Sequence, residues 1–264
     1  MRKLEFETGG KRIACAVPER WDEVSAEQLL ALAGLDVGSI DGSEFYARYF
    51  GIRREVVDGL DLYALFVLNG LVEQLSVLPD GERRGGLRRF LVPSYVLGGR
   101  RFVCPADGLS GMSFQQFMTV DTFFTWYLET DERRFLLQMC SCLYLEEGED
   151  FFELQLEERM KVWGRCDTAT DRTDGAAVLR SVLMQWGMVK RWLAGAYPFL
   201  FPVAVVQQQT VRGGRKVASN VWLEIFDVLV QDDLTRIDSY RKLACMDVLR
   251  ILNRRLKNDR MGKG

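Results

Sequence analysis

The chain has 264 residues, of which 48% are hydrophobic and 27% are charged, and its formal net charge is −2. A charge this close to zero gives no overall attraction to nucleic acids or to anionic membranes. No apolar run approaches the ~20 residues that span a bilayer, and the N-terminal residues lack the apolar core of a secretory signal. We therefore expect a cytosolic globular protein that does not enter a membrane.

The chain contains no histidine and six cysteines. Without histidine, the Ser-His-Asp and Cys-His arrangements that activate a nucleophile cannot form, and most metal sites lose a ligand. No cysteines have the Cys-x-x-Cys spacing typical of zinc sites, and only Cys140 and Cys142 lie close together. We interpret the cysteines as buried, reduced thiols and predict no catalytic residue, no metal and no cofactor.

The first part of the chain predicts a β-hairpin followed by helices. Short strands over 3–8 and 11–17 flank Gly9-Gly10, and two glycines between strands favour a tight turn. Ser25 and Gln28 have the spacing of a capping box, which predicts that a helix begins there. That helix is expected to stop at Gly34, and further helices are expected over 43–50 and 61–77 from their apolar spacing.

The same pattern returns about 89 residues later. Gly98-Gly99 repeats the glycine turn, and Ser113 with Gln116 repeats the helix start. At that offset Tyr46 corresponds to Phe135, and Phe50 corresponds to Met139. The sequence Gly59-x-Asp61-Leu62-Tyr63 likewise returns as Gly148-x-Asp150-Phe151-Phe152. We interpret this as a tandem duplication with units at 1–78 and 91–165, against the alternative of a chance run of common helix signals.

A C-terminal helical segment is predicted over 175–264. It comprises a helix from Gly175 to about Tyr197, a second over 220–230 and a third over 238–258. A polar loop at 203–219 separates the first two, and it either folds as a third hairpin around Gly213-Gly214 or stays a mobile basic loop. The glutamines and charges of that segment supply little to bury, which favours the loop.

Two groups of basic residues are candidate partner-binding sites. The polar loop carries Arg212, Arg215 and Lys216, and the last helix carries Arg250, Arg254, Arg255 and Lys257. The first group lacks the spacing of a phosphate-binding loop, so a tethered basic loop is the better interpretation. The second group can bind nucleic acid or an acidic partner. Alternatively, these residues are there because positive charges near a helix C-terminus interact favourably with the helix dipole.

Two other motifs are better explained by structure than by chemistry. The acidic run Glu146–Asp150 lacks the alternating oxygen ligands of a calcium loop and is interpreted as a solvated connection. The turn Gly108-Leu109-Ser110-Gly111 does not match G-x-S-x-G, and the chain has no histidine that could activate the serine. The six tryptophans are expected in the core.

The C-terminal segment carries motifs that resemble a protein family of phages and prophages of gut Bacteroidetes. They are Trp192-Leu193-x-x-x-Tyr197-Pro198-x-Leu200-Phe201-Pro202, the run from Trp222 through Asp227 to Leu234, and the end from Val248 to Lys257. The opening Pro18-x-x-Trp21-x-Glu23-Val24-Ser25-x-x-Gln28 is also similar to that family, whereas the second repeat lacks Pro-x-x-Trp. The resemblance covers most of the chain and carries no catalytic signature.

Together these features predict an α+β protein, mostly α, with two duplicated hairpin-helical units and a C-terminal helical segment. The resemblance implies a non-enzymatic tail assembly chaperone that binds a tape-measure-type tail protein in the host cytoplasm. The alternatives are a structural component of the virion tail and a nucleic-acid-binding accessory protein that uses the basic C-terminal helix.

Overall fold

A computed structural model describes residues 2–8, 11–76, 86–165, 175–201, 221–230, 235 and 237–261. Helices dominate these residues, and two small antiparallel sheets accompany them. The prediction of a mostly α fold with some β-structure is therefore confirmed. Among the described residues, no helix combines the length and the apolar character that crossing a membrane requires.

The helices are α1 (Ala26–Asp36), α2 (Gly42–Phe50), α3 (Arg54–Asp58), α4 (Leu62–Ser76), α5 (Phe114–Thr130), α6 (Arg133–Leu143), α7 (Leu156–Arg165), α8 (Gly175–Ala196), α9 (Val221–Val230), α10 (Ile237–Lys242) and α11 (Cys245–Met261). The strands are β1 (Arg2–Thr8), β2 (Lys11–Val17), β3 (Ser94–Leu97), β4 (Arg100–Val103) and β5 (Leu145–Glu146).

The chain divides into two compact units. Unit 1 comprises Met1–Leu87 with Gly164–Arg191, and unit 2 comprises Arg88–Trp163 with Trp192–Gly264. The predicted C-terminal segment is thus shared between the units, since unit 2 begins again within α8. Its polar loop at 203–219 lies outside the described residues.

In unit 1, β1 and β2 form the predicted hairpin, with Arg2 opposite Val17 and Thr8 opposite Lys11. The glycine pair between the strands lies outside the described residues. The capping box that starts α1 is confirmed: Ser25 Oγ accepts from the Gln28 N–H, and Gln28 Oε1 accepts from the Ser25 N–H.

The predicted stop of α1 at Gly34 is wrong, because the helix continues to Asp36. Gly34 does not mark the end of the helix. It allows the chain at Ser39 to approach the helix closely. A Cβ there would lie 3.2 Å from Ser39 Oγ, and the Gly34 carbonyl accepts from the Ser39 N–H at 2.8 Å. The glycine therefore lets the chain fold back against the helix that it has just left.

Unit 2 begins with the second predicted hairpin, in which β3 pairs with β4 through Gly98 and Gly99. Both glycines have positive φ, 58° and 78°, as a tight hairpin turn of this kind requires. The sequence did not predict β5, which adds a third strand by pairing Phe102 with Glu146. Ser113 starts α5 by accepting from the Gln116 N–H at 3.1 Å.

The two units share an order of elements. Each has a hairpin, a 3-10 turn, two helices that pack on each other, and a capping aspartate, which caps α4 itself in unit 1 and a 3-10 turn ahead of α7 in unit 2. Asp61 accepts from the Ala64 N–H in unit 1, and Asp150 accepts from the Phe152 N–H in unit 2. The tandem duplication itself stays a prediction.

The predicted last helix over 238–258 is two helices, α10 and α11, separated at Leu243 and Ala244. The reason is a contact that sequence periodicity does not contain. The Leu243 carbonyl accepts from the Phe114 N–H at 2.8 Å, and the Cys245 N–H donates to the Met112 carbonyl at 3.0 Å. The break thus pairs the chain with the start of α5.

Candidate functional site

The largest exposed apolar side chains of the described chain include three on the first turns of α4. Leu62, Tyr63 and Phe66 are 86%, 77% and 75% exposed. Leu68 and Leu71 are buried on the opposite side of the helix and attach it to unit 1. We call Leu62, Tyr63 and Phe66 the α4 face. An apolar face on a helix that is already anchored is typical of a surface that binds another protein.

The apolar spacing that predicts a helix over 61–77 does not predict this division of α4. The signal was present, because apolar residues at these positions surround the helix, whereas a helix with one partner needs an apolar stripe on one side only.

In unit 2 the matching position is covered by the chain itself. Phe152, which occupies the place of Tyr63 after the capping aspartate, is 42% exposed. The Lys242 ammonium lies 5.3 Å from the centroid of the Phe152 ring. Such a cation–π contact contributes about 0.5–1 kcal/mol at an exposed site. Phe152 is therefore partly covered, whereas Tyr63 in unit 1 is open.

The predicted basic site on the last helix lies on α11. Arg250, Arg254, Arg255 and Lys257 are all exposed, while Cys245, Val248, Leu249 and Leu252 form the buried side. Arg250 is in an ion pair with Asp247 at 2.9 Å, which leaves less of its charge for a partner. Helical spacing places Arg250, Arg254 and Lys257 on one face. We call these three residues the basic face.

The other predicted basic residues, Arg212, Arg215 and Lys216, lie outside the described residues. The structure therefore does not bring them together with the basic face.

Glutamates of the acidic run Glu146–Asp150 form ion pairs with arginines. Glu146 binds Arg100 and Arg159, with a distance of 3.3 Å between Arg159 Nη1 and Glu146 Oε2, and Glu149 also binds Arg159. The hydrogen bond from Arg100 is the main reason that the pKa of Glu146 is lowered. Within the described ranges, no group of three or more potential ligands is arranged to hold a metal ion.

Arg159 is a buried cation, 4% exposed, at the edge of the unit 2 core. Its guanidinium lies 4.7 Å from the centroid of Phe102, which packs against Trp163. A buried charge is stable only when it is paired and hydrogen-bonded, and Glu146 with Glu149 supply that pairing. The acidic run therefore completes a structural ion-pair cluster, in place of the solvated connection that we predicted.

A buried carboxylate on α5 was not predicted from the sequence. Asp121 is 3% exposed, and its Oδ2 accepts a hydrogen bond from Trp222 Nε1 at 2.7 Å. The bond joins α5 to α9. The sequence signal was a single aspartate between Phe117-Met118-Thr119-Val120 and Phe123-Phe124. The contact fixes Trp222 in the core of unit 2.

Trp163, Trp186 and Trp222 are buried, as predicted, whereas Trp21, Trp126 and Trp192 are only half-buried. The prediction of a core position is therefore wrong for the latter three. Each lies on an element whose other side faces solvent, and the size of an indole makes partial exposure common.

The predicted burial of the cysteines is confirmed for four of the five that the structure describes. Cys15, Cys140, Cys142 and Cys245 are buried, Cys104 is half-buried, and all five are free thiols. Burial raises the pKa of Cys104, Cys142 and Cys245 to about 12. A thiol in such surroundings stays protonated and is a poor nucleophile. Cys166 lies outside the described residues.

The turn around Ser110 is structural. Gly108 has φ of 68°, and its N–H donates to the Arg88 carbonyl at 2.7 Å. Ala106 and Ser110 form a short antiparallel bridge that closes the turn before Ser113. This agrees with the interpretation of the segment as a loop that leads into α5.

No family model, curated protein or solved structure matches this chain.

Proposed function

We propose that this chain is a non-enzymatic protein of the phage tail assembly chaperone type, which binds a tape-measure-type tail protein in the host cytoplasm. The observation that carries the proposal is the α4 face, where Leu62, Tyr63 and Phe66 are each at least three quarters exposed. The family resemblance of the sequence motifs supplies the phage context. The proposal assigns no cofactor, no metal and no catalytic step.

The energetics of the α4 face favour a protein partner. Full burial of a side chain of this size contributes about 1.5–3 kcal/mol, before the entropic costs of association are subtracted. A long, amphipathic tail protein that has not yet assembled exposes apolar helix stripes of the same kind. Docking one such stripe on the α4 face would shield both surfaces until assembly.

The test is co-expression with a tape-measure-type tail protein from the same phage or prophage. We expect a complex that co-purifies and a gain in the soluble yield of the tail protein. Phe66→Ser should abolish both effects. Val96→Ser is the matched control, because Val96 is 70% exposed on unit 2 and lies outside the α4 face. The proposal fails if neither a complex nor a gain in solubility is found.

A second measurement distinguishes a chaperone from a structural component of the virion. A chaperone leaves when the tail polymerises, so mass spectrometry of purified particles should detect the tail protein and none of this chain. Stoichiometric amounts of this chain in washed particles would instead favour the structural role.

The basic face favours a second candidate, an accessory protein that binds nucleic acid. Lysines and arginines that contact phosphates release counterions, so the affinity should fall steeply with salt. The test is the binding of labelled duplex DNA between 50 and 200 mM salt, about the range over which such contacts weaken. If this role is correct, Arg254→Glu with Lys257→Glu abolishes binding, and Arg53→Glu, a change at an exposed arginine of unit 1, does not.

A further inference from the structure

Among the described residues, the hairpin of unit 1 is a sheet of two strands, so β1 is an edge strand along its whole length of seven residues. Its pairs with β2 run from Arg2 opposite Val17 to Thr8 opposite Lys11. In unit 2, by contrast, β5 extends the β3–β4 hairpin to three strands. A hairpin of two strands is only marginally stable by itself, and a free edge readily pairs with another strand. The β1 edge is therefore a place where a further strand can add.

The β3–β4 hairpin shows which pairs of such a hairpin are hydrogen-bonded. There the Cys104 N–H donates to the Pro93 carbonyl at 3.0 Å, just beyond the paired strands. Hydrogen-bonded and non-hydrogen-bonded pairs alternate along an antiparallel ladder, so the pair Leu97–Arg100 beside the two-residue turn is hydrogen-bonded. Thr8 and Lys11 likewise flank two residues in unit 1. Their pair therefore belongs to the hydrogen-bonded class as well.

The outward backbone groups of β1 belong to every second residue. Because Thr8 is hydrogen-bonded to β2, the alternation directs the N–H and carbonyl groups of Lys3, Glu5 and Glu7 away from β2. Apart from the ladder with β2, no hydrogen bond to the backbone of β1 forms among the residues that the structure describes. The side chains of Lys3, Glu5 and Glu7 are exposed. The outer edge of β1 thus offers donors and acceptors to a further strand.

The charges of β1 are complementary to those of a second, antiparallel copy. The strand begins with Arg2 and Lys3, and Glu5 and Glu7 follow in its second half. When two copies of β1 run antiparallel, the basic half of each strand lies beside the acidic half of the other. If Leu4 lies opposite Leu4 of the second copy, Lys3 of each copy lies opposite Glu5 of the other. Opposite charges in directly facing positions stabilise a sheet, whereas like charges destabilise it.

This register also suits the backbone and the two faces of the sheet. Lys3 and Glu5 both direct their backbone groups outward, so each facing pair is hydrogen-bonded. Facing residues lie on the same side of a sheet, so Lys3 and Glu5 stay on the exposed side. Leu4 stays on the other side, which carries the buried Cys15 and Val17. Two hairpins joined in this way form one four-stranded sheet.

The other edge of the hairpin offers a poorer match. The charged residues of β2 are Lys11 and Arg12, both basic, so two copies of β2 gain no ion pair. Pairing of β1 with β2 of a second copy leaves edges open and continues without closing, whereas two copies of β1 close about a two-fold axis. The exposed ion pair of Glu5 with Arg12 is kept in the β1 pairing, because a carboxylate accepts on both of its oxygens.

We propose that two copies of this chain form a symmetric dimer through β1, in which the outer edges pair antiparallel with Leu4 on the two-fold axis. The partner is thus a second copy of this chain, recognised by backbone hydrogen bonds and by the facing charges of Lys3 and Glu5. The dimer goes beyond the protein-binding role proposed above and uses a different surface from the α4 face. Its tests use this chain alone, so they succeed or fail independently of that role.

Sedimentation equilibrium of the full chain should show a monomer–dimer equilibrium below about 100 µM. Glu5→Pro removes one outward N–H and keeps the ladder with β2, because proline is tolerated on an edge strand where its nitrogen faces solvent. The dissociation constant should rise roughly tenfold or more. Ala14→Pro is the matched control, since Ala14 lies opposite Glu5 in the hairpin and directs its N–H to the other edge. The proposal is overturned by a chain that is monomeric at about 100 µM, or by a dimer that Glu5→Pro weakens no more than Ala14→Pro does.

Exchange of the facing charges separates the interface from any effect on folding. Lys3→Glu places two acidic side chains opposite each other and Glu5→Lys two basic ones, so each variant alone should dimerise about five- to tenfold more weakly in low salt. An equimolar mixture should recover the affinity of the parent chain, because every facing pair of the mixed dimer is again of opposite charge. With one variant isotope-labelled, native mass spectrometry distinguishes the mixed dimer from the two homodimers. The proposal is wrong if the mixture dimerises no better than the separate variants.

Discussion

The side-chain amide of Gln28 donates a hydrogen bond to the backbone carbonyl of Tyr49, 3.0 Å away, and ties the start of α1 to the end of α2. In unit 2, Gln116 donates in the same way to the Cys142 carbonyl at 2.8 Å and ties α5 to α6. Both glutamines are the third residue of a serine-capped helix, and both acceptors are the second-to-last residue of the helix that follows. The repeated sequence signal thus marks a repeated tertiary contact.

These contacts also refine how the repeats align. The two donors are 88 positions apart and the two acceptors are 93 apart. The constant offset of 89, which paired Tyr46 with Phe135, therefore does not describe α2 and α6. The reason is that α5 has 17 residues and α1 has 11, so more residues separate the donor from the acceptor in unit 2.

Removing either glutamine should destabilise the protein by leaving a buried carbonyl without a donor. We expect Gln116→Leu to lower the free energy of unfolding by about 1–3 kcal/mol. Gln28→Leu should cost more, because Gln28 Oε1 also accepts from the Ser25 N–H. Urea unfolding followed by circular dichroism measures both. Glu27→Leu and Gln115→Leu are the neighbouring controls, and equal effects in variants and controls would contradict the role of the glutamines.

The elements that sequence predicted well are those fixed by neighbouring residues. Ser25 and Gln28 satisfy each other within one turn, and Gly98 with Gly99 meet the backbone needs of a two-residue turn. Such features depend on local geometry, so their residue types alone identify them.

The errors arose where distant contacts override local pattern. Gly34 is inside α1 because Ser39 folds back onto it, and the last helix breaks at Leu243 because that residue pairs with the start of α5. The α4 face was not predicted for a related reason. Apolar spacing shows which residues are hydrophobic, but it does not show which side of the helix is buried against the rest of the protein. Only tertiary packing decides that Leu68 is buried and Phe66 is not.

Two buried tryptophans of unit 2 should differ in how much stability is lost when the indole nitrogen is removed. Trp222→Phe leaves the Asp121 carboxyl without the donor that lies 2.7 Å away. Trp163→Phe instead removes an indole N–H that is buried without a hydrogen-bond partner among the described residues. Both changes create a cavity, so Trp222→Phe should cost about 1–3 kcal/mol more than Trp163→Phe in urea unfolding.

The pair Asp121–Trp222 can be separated from cavity effects by a double-mutant cycle. Asp121→Ala, Trp222→Phe and the double variant should show a coupling of about 1–3 kcal/mol. Simple additivity of the two single changes would contradict a direct bond between α5 and α9.

The stability of the folded protein should decrease at acidic pH, in part because Glu146 becomes protonated. Its pKa lies below the ordinary value of 4.5, chiefly because Arg100 hydrogen-bonds to the carboxylate. A carboxylate whose folded pKa is lowered contributes stability above its unfolded pKa and loses it as the pH falls through the folded pKa. We therefore expect Arg100→Gln to reduce the loss of stability between pH 5 and pH 3, about the range in which a glutamate titrates.

Urea midpoints at pH 7, 5 and 3 measure that dependence. Arg101→Gln is the matched control, since Arg101 lies on the same strand and reaches only the exposed Glu147, at 3.6 Å. The interpretation is wrong if the parent chain and Arg100→Gln lose the same stability between pH 5 and pH 3.

The described cysteines should resist alkylation while the protein is folded. Burial raises the pKa of Cys104, Cys142 and Cys245 to about 12, so at pH 8 about one thiol in ten thousand is ionised. Brief treatment with iodoacetamide, followed by peptide mass spectrometry, should leave these three peptides unmodified in the native chain and fully modified in urea. The Cys166→Ser variant serves as the control, because it removes the one cysteine outside the described residues and should leave this protection unchanged. Rapid native labelling of Cys142 or Cys245 would show that the core of unit 2 opens far more readily than its packing implies.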